Sequence, residues 1–278
     1  MTFHRISLLP MAKNIDGATR TSMMPPLPDW KRDFHQASDA KAHLLYVVFG
    51  TNVENLALSR SKYRCQGIPD GVELFSYGRD QHPEVLDSFC DGTAWDKLTA
   101  EDPVLAGQIA AQMECVVLRG IFADETTLNY FRDVVGLLTC LIDNGGTAIY
   151  DPLSVTWWSP SEWKAKIFEP ALPSPHEHVV ILVSEERDGF QWFHTRGLLK
   201  YGRPDLSLHS VPARYRAAAV ELFNRLITFQ AHGGLIPEKQ EIDMQTLPEG
   251  MVCVHQGDEN DPNFNNVHVE ITWPNHSI

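Results

Sequence analysis

Apolar residues recur along this chain with a period of two in some stretches and three to four in others, so both strands and helices are predicted. Residues 43–50 (HLLYVVFG) are dense in β-branched and aromatic residues and close on Gly50, which predicts a strand. Residues 51–80 are broken by Gly67, Pro69, Gly71 and Gly78 and predict short strands and turns. Residues 83–113 read as helical pieces. Pro83 and Pro103 stand where helices start, because proline's fixed φ and missing N–H cost nothing there. The run 114–121 (ECVVLRGI) predicts the next strand.

The clearest helix follows. Asp124 is the expected N-cap, with Glu125 in the first turn complementing the helix dipole. Leu128, Phe131, Val134, Val135, Leu138, Leu141 and Ile142 then define one apolar face, and Gly145-Gly146 stops the helix. Residues 147–151 return as a strand. Residues 152–175, rich in Trp and Pro, predict a short helix around 160–168 and a connection. A strand at 178–184, a turn at Asp188-Gly189 and a strand at 190–195 predict a hairpin. A second long helix is predicted over 212–232, with Tyr215, Ala219, Leu222, Phe223, Leu226 and Phe229 on one face and Gly233-Gly234 at its end. Residues 250–255 and 267–273 predict a final strand pair around an acidic loop.

These elements give an α+β fold of two packed strand–helix–strand halves with an irregular N-terminal region. The expected organisation is a flexible leader at 1–30, an N-terminal α+β region at 31–111 and a C-terminal α+β domain at 112–278. Laying Gly145-Gly146 on Gly233-Gly234 superposes Val134, Val135, Leu138 and Leu141 on Leu222, Phe223, Leu226 and Phe229. Internal duplication is one reading of that match; chance alignment of two amphipathic helices is the other.

The 278 residues are 43% hydrophobic and 21% charged, enough apolar surface to exclude disorder over most of the length. The apolar runs are too short to cross a bilayer. Net charge changes the picture more. Lys and Arg number 23 against 36 Asp and Glu, a formal −13. Residues 241–278 carry Glu241, Asp243, Glu249, Asp258, Glu259, Asp261 and Glu270 and no Lys or Arg. Such a field repels nucleic acid and anionic membranes and favours a basic partner. Simple solubility would give the same charge. Five cysteines without a C-x-x-C pair indicate a reducing compartment, and the expected location is the cytoplasm.

Four stretches are candidates for chemistry. His176-Glu177-His178, read as a strand, would put two imidazoles on one face as metal ligands, with His194, His209 or His268 as a third and Glu177 or Glu270 as a base. A metal-assisted hydrolase is the function that follows. The loop Gly257–Asn263 crowds oxygen ligands, but it lacks the central Gly and closing Glu of a calcium loop, and an Asx-rich turn explains it equally well. The segment 189–205 (GFQWFHTRGLLKYGRPD) gathers Trp192, His194, Arg196, Arg203 and Asp205 into a candidate ligand pocket; packing and ion pairing are the competing account. Trp157 and Trp158 are candidate aromatic anchors for a partner. No nucleophile elbow, phosphate loop, dinucleotide fingerprint or H-E-x-x-H motif occurs, and no cofactor is expected.

The run from Trp192 to Leu206, W-x-x-T-R-G-L-x-x-Y-G-R-P-D-L, resembles a bacterial domain family of undefined function. That family is marked by a T-x-G-[LM]-x-x-[FY]-G-x-P-[DE] core. The upstream Gly145-Gly146-x-x-Ile149-Tyr150-Asp151 and Trp157-Trp158-Ser159-Pro160 are similar to the same family, so the resemblance covers roughly residues 112–278. It carries over no catalytic residue. Families of this kind are associated with toxin–immunity loci, which implies an immunity role. With the acidic C-terminal stretch, this points to a binding protein without catalysis that neutralises a basic toxin or effector. Asp258, Glu259, Asp261, Trp157 and Trp158 are then the expected contacts.

Overall fold

The computed structural model describes residues 27–54, 56–258 and 261–274. They fall into two compact units: residues 27–30, 44–54, 56–121 and 127–173 make the first, and 31–43, 122–126, 174–258 and 261–274 the second. These cuts differ from the division at 111/112 expected above, because the chain enters the second unit and returns to the first twice by residue 127.

The first unit contains β1 (Ala42–Phe49, its first two residues in the second unit), α1 (Arg60–Tyr63), β2 (Val72–Gly78), α2 (Pro83–Phe89), α3 (Thr93–Glu101), α4 (Pro103–Ala110) and β3 (Glu114–Phe122). It continues with α5 (Asn129–Asp143), β4 (Ala148–Asp151), β5 (Thr156–Trp158), α6 (Pro160–Glu162) and a π-helical turn, Trp163–Phe168. Its sheet runs β2-β3-β1-β4-β5. Pro83 and Pro103 do start helices. Leu86, Leu105 and Ile109 from α2 and α4 are buried against Val47, Phe49, Cys115 and Ala148. Each such side chain contributes about 1.5–3 kcal/mol by leaving water.

Three expectations need correction here. Asp124 does not cap α5: the helix starts five residues later, with Leu128 at the N-cap. The helix is not amphipathic in place either, since Tyr130 through Ile142 are all buried. Its polar members are paired. Arg132 Nη2 lies 2.8 Å from Asp133, and Thr139 Oγ1 donates to the Val135 carbonyl while accepting from Trp163 Nε1 at 3.0 Å. Residues 1–26 of the expected leader lie outside the described residues, but its end is anchored: Trp30 is buried and its indole donates to the Ala171 carbonyl.

The second unit contains α7 (Pro175–His178), β6 (Val180–Glu185), β7 (Phe190–Arg196), β8 (Asp205–Pro212) and α8 (Arg216–Ala231). β9 (Glu241–Ile242), β10 (Met251–Gln256) and β11 (His268–Thr272) complete it. Its sheet runs β6-β7-β8-β11-β10-β9, with β8 and β11 parallel and the other pairs antiparallel. The expected hairpin forms, with Asp188 at φ +63° in its turn. α8 buries Ala219, Leu222, Phe223 and Ile227, and Phe223 meets Phe193 of β7 edge-on at 6.2 Å. Among the described residues no helix is long and apolar enough to cross a membrane.

Candidate functional site

Side chains alternate across a strand, so Trp192, His194 and Arg196 of β7 project from the face opposite Phe193 and α8. Trp192 Nε1 donates to Ser207 Oγ of β8 at 2.9 Å, which puts Ser207 on the same face. On that face the His194 ring stacks on Trp192 at 4.0 Å, and the His209 ring of β8 stacks on it at 4.8 Å, only 7° from parallel. The His268 ring of β11 stacks in turn on Phe264 at 4.2 Å, and Phe264 stands edge-on to both Trp192 and His194. Five rings therefore form one π-rich platform.

Local irregularities set this geometry. The pairing of β7 with β8 slips between Gln191 and Phe193, a bulge of the kind that re-aims side chains. Beside it Ser210 holds φ +59°, a left-handed conformation that is uncommon outside glycine. One carboxylate supports it: Glu186 Oε2 accepts the Ser210 N–H at 2.8 Å, and Oε1 lies 2.7 Å from His209 Nδ1. Burial works to raise the Glu186 pKa, yet the bonds from His209 and Ser210 outweigh it and the value is lowered. Glu270 accepts the His209 N–H, Asp261 lies 3.9 Å from His268, and Arg196 donates to the Asn263 carbonyl, bracing the loop that carries Phe264.

Burial holds His194 down to about 4, with Arg196 and His209 adding to the shift, and burial also lowers His268. Both imidazoles are neutral at pH 7, and their buried Nδ1 atoms make no hydrogen bond among the described residues. Of the five rings, His194, Phe264 and His268 are buried, Trp192 is half-buried and His209 is exposed, with Glu186, Glu270 and Asp261 at the border. Such a surface suits the cationic side chain of a partner, which gains both ring quadrupole and carboxylate.

The other sequence candidates are placed differently. Arg203 and Asp205 are buried scaffold. Arg203 donates to the Gly233 and Gly234 carbonyls and pairs with Asp124, which also binds Arg32 at 2.6 Å and Ser38. Burial would raise the Asp124 pKa, but Arg203, Ser38 and Arg32 together lower it. Asp205 accepts from Thr195 and Leu198 inside the Trp192–Leu206 motif and from Asn266 beyond it. Gly197 is required there: its φ is +117° and a Cβ would stand 2.5 Å from the His178 carbonyl.

His176 and His178 do not share a strand face. They lie on the short helix α7, where His178 is buried and His176 is exposed and bonded to Thr228. Burial, reinforced by Lys200, pushes the His178 pKa well down. Among the described residues no group of three or more His, Cys, Asp or Glu could hold a metal ion. Trp157 and Trp158 are not surface anchors. Trp157 stacks on Tyr150 at 4.3 Å against the first unit's core, and Trp158 is buried edge-on to Trp163.

No family model, curated protein or solved structure matches this chain. Asp258 is exposed, Asp261 borders the platform, and Glu259 lies outside the described residues. Sequence reasoning missed the roles of Phe264 and Glu186. The alternation of Trp192 and His194 was a usable signal, but the bulge that brings His209 alongside was not. It also missed an open pocket of about 600 Å³ in the first unit, assembled from 50–54, 76–81 and 111–114, whose mixed lining includes Asn52, Tyr77, Arg79, Gln112, Met113 and Glu114. Three separate stretches leave no spacing to find.

Proposed function

We propose that this protein is a non-catalytic binding protein of the immunity type, which neutralises a basic protein toxin or effector through the second unit. The observation that carries the reading is the ring platform of Trp192, His194 and His209 bordered by carboxylates. Trp is enriched at interface hot spots, and desolvated aromatic anchors rimmed by complementary charge are how a few residues supply most of the affinity. The absence of Lys and Arg from 241–278 favours the same partner charge. The Thr195–Asp205 motif's resemblance to a family associated with toxin–immunity loci adds support. Trp157 and Trp158, packed in the first unit, are no longer among the proposed contacts.

Co-expression with the product of the adjacent gene tests it. That product should be toxic alone, silenced by this chain, and bound in titration calorimetry. Replacing Trp192 with Ala should weaken binding by about 2 kcal/mol, roughly 30-fold, with the fold retained by circular dichroism. A harmless product, or one that does not bind, overturns the assignment.

A further inference from the structure

The six-stranded sheet ends on one side at β9, only two residues long, and on the other at β6, which is six residues long. Val180, Ile181, Leu182 and Val183 of β6 are each half-buried. In an antiparallel pair, residues that exchange hydrogen bonds with the neighbour alternate with residues whose N–H and C=O point away. The phase is fixed here by the Glu186 N–H donating to the Phe190 carbonyl at 2.8 Å, in line with the register Val180↔Arg196 to Glu185↔Gln191. Ile181, Val183 and Glu185 therefore turn their backbone groups outward. Among the described residues those groups have no hydrogen-bond partner.

An apolar strand of this length with a free edge is a template for strand addition. We propose that β6 pairs antiparallel with β6 of a second copy of this chain, joining two six-stranded sheets into one. This interface is independent of the toxin-binding reading.

Self-complementarity selects the second copy as occupant. With Val183 opposite Val183, Ile181 faces Glu185 at both ends, so the outward-turned residues of the two strands meet in phase. Each opposed pair can then exchange two hydrogen bonds. The Glu185 carboxylates fall at opposite ends of the pairing, and no like charges stand directly across from one another. The arrangement is two-fold symmetric and closed, which yields a dimer and not a fibre.

Analytical ultracentrifugation of the full chain across micromolar concentrations should show a monomer–dimer equilibrium. Val183→Pro removes an outward N–H that makes no bond within the chain, so the edge should accept it, yet it blocks pairing. The variant should raise the dimer dissociation constant at least about tenfold, or about 1.4 kcal/mol. Hydrogen exchange of the wild type supplies the second readout: amides of Ile181, Val183 and Glu185 should gain protection as concentration rises. A monomer at every concentration overturns the proposal, as does a dimer that survives V183P unchanged. If V183P does not fold, exchange decides: concentration-dependent protection at those three amides supports the pairing, and its absence overturns it.

Discussion

At the residue scale, Asp205 on β8 and His194 on β7 are pushed in opposite directions by the same cause. Burial raises Asp205 to about 6, despite hydrogen bonds from Asn266, Thr195 and Leu198, and burial lowers His194 to about 4. Unfolded, the two would titrate near 3.8 and 6.5. Between pH 4 and 6, unfolding thus releases a proton from Asp205 and adds one at His194. The raised Asp205 contributes stability that is present below its unfolded value and lost as pH rises through about 6. The lowered His194 contributes stability that is present above 6.5 and lost as pH falls through about 4. The two slopes oppose, so their joint pH dependence over this window should be shallow. Asp205→Asn leaves the histidine slope alone: urea midpoints of that variant, relative to wild type, should fall more steeply on acidification from pH 6 to 4. His194→Gln should reverse the sign, its midpoint rising on acidification relative to wild type. Parallel profiles for all three proteins would show that neither group is perturbed as the geometry requires.

At the element scale, α5 is set by contacts its own sequence does not display. Gly136 sits mid-helix, where glycine costs about 1 kcal/mol relative to alanine. The structure supplies the reason: a Cβ there would collide with the Tyr63 carbonyl and stand 2.8 Å from Cys65 Cβ. Gly136→Ala should therefore destabilise by about 1–3 kcal/mol from overpacking, against the gain that helix propensity alone would give. A denaturant midpoint that rises in G136A would contradict this close approach. The same helix shows why part of the fold was legible and part was not. Its apolar period and its Gly145 stop (φ +106°) are local, and both were readable. That Arg132, Asp133 and Thr139 would be buried as well depends on partners from elsewhere in the chain, such as Trp163 and Gln66. Asp124 fits an N-cap by sequence, but two buried guanidiniums from distant segments claim its carboxylate instead. The strands followed the same rule. β1, β3 and β6 are compact apolar runs and β7 follows a hairpin turn, whereas β8 begins inside the glycine-rich motif and β5 lies in a Trp-Pro stretch, where residue type argued for turns. At the platform, the Trp192–His194 alternation was visible, while the register slip that aligns His209 has no sequence period.

At the scale of the whole molecule, charge makes the two proposed interfaces distinguishable by salt. Each chain carries a formal −13, so two copies approaching through β6 repel at long range, although no carboxylates face each other across the pairing. The carboxylates at the platform and the exposed Glu241, Asp243, Glu249 and Asp258 elsewhere on the second unit attract a basic partner instead. The Debye length falls from about 10 Å at 0.1 M salt to about 3 Å at 1 M, so added salt should weaken the attraction and relieve the repulsion. The dimer dissociation constant should decrease as salt rises, while association of the toxin should slow, because steering acts mainly on the on-rate. Reversing Glu241, Asp243, Glu249 and Asp258 to Lys together should flatten the toxin's salt dependence and lower its association rate. The same reversal should tighten the dimer at low salt by lowering the net charge, with modest change in stability because these side chains are exposed. Ultracentrifugation and stopped-flow association across a salt series read both quantities on the same preparations. Salt slopes of the same sign at both interfaces would mean that net charge does not set either encounter. The acidic excess would then serve solubility alone.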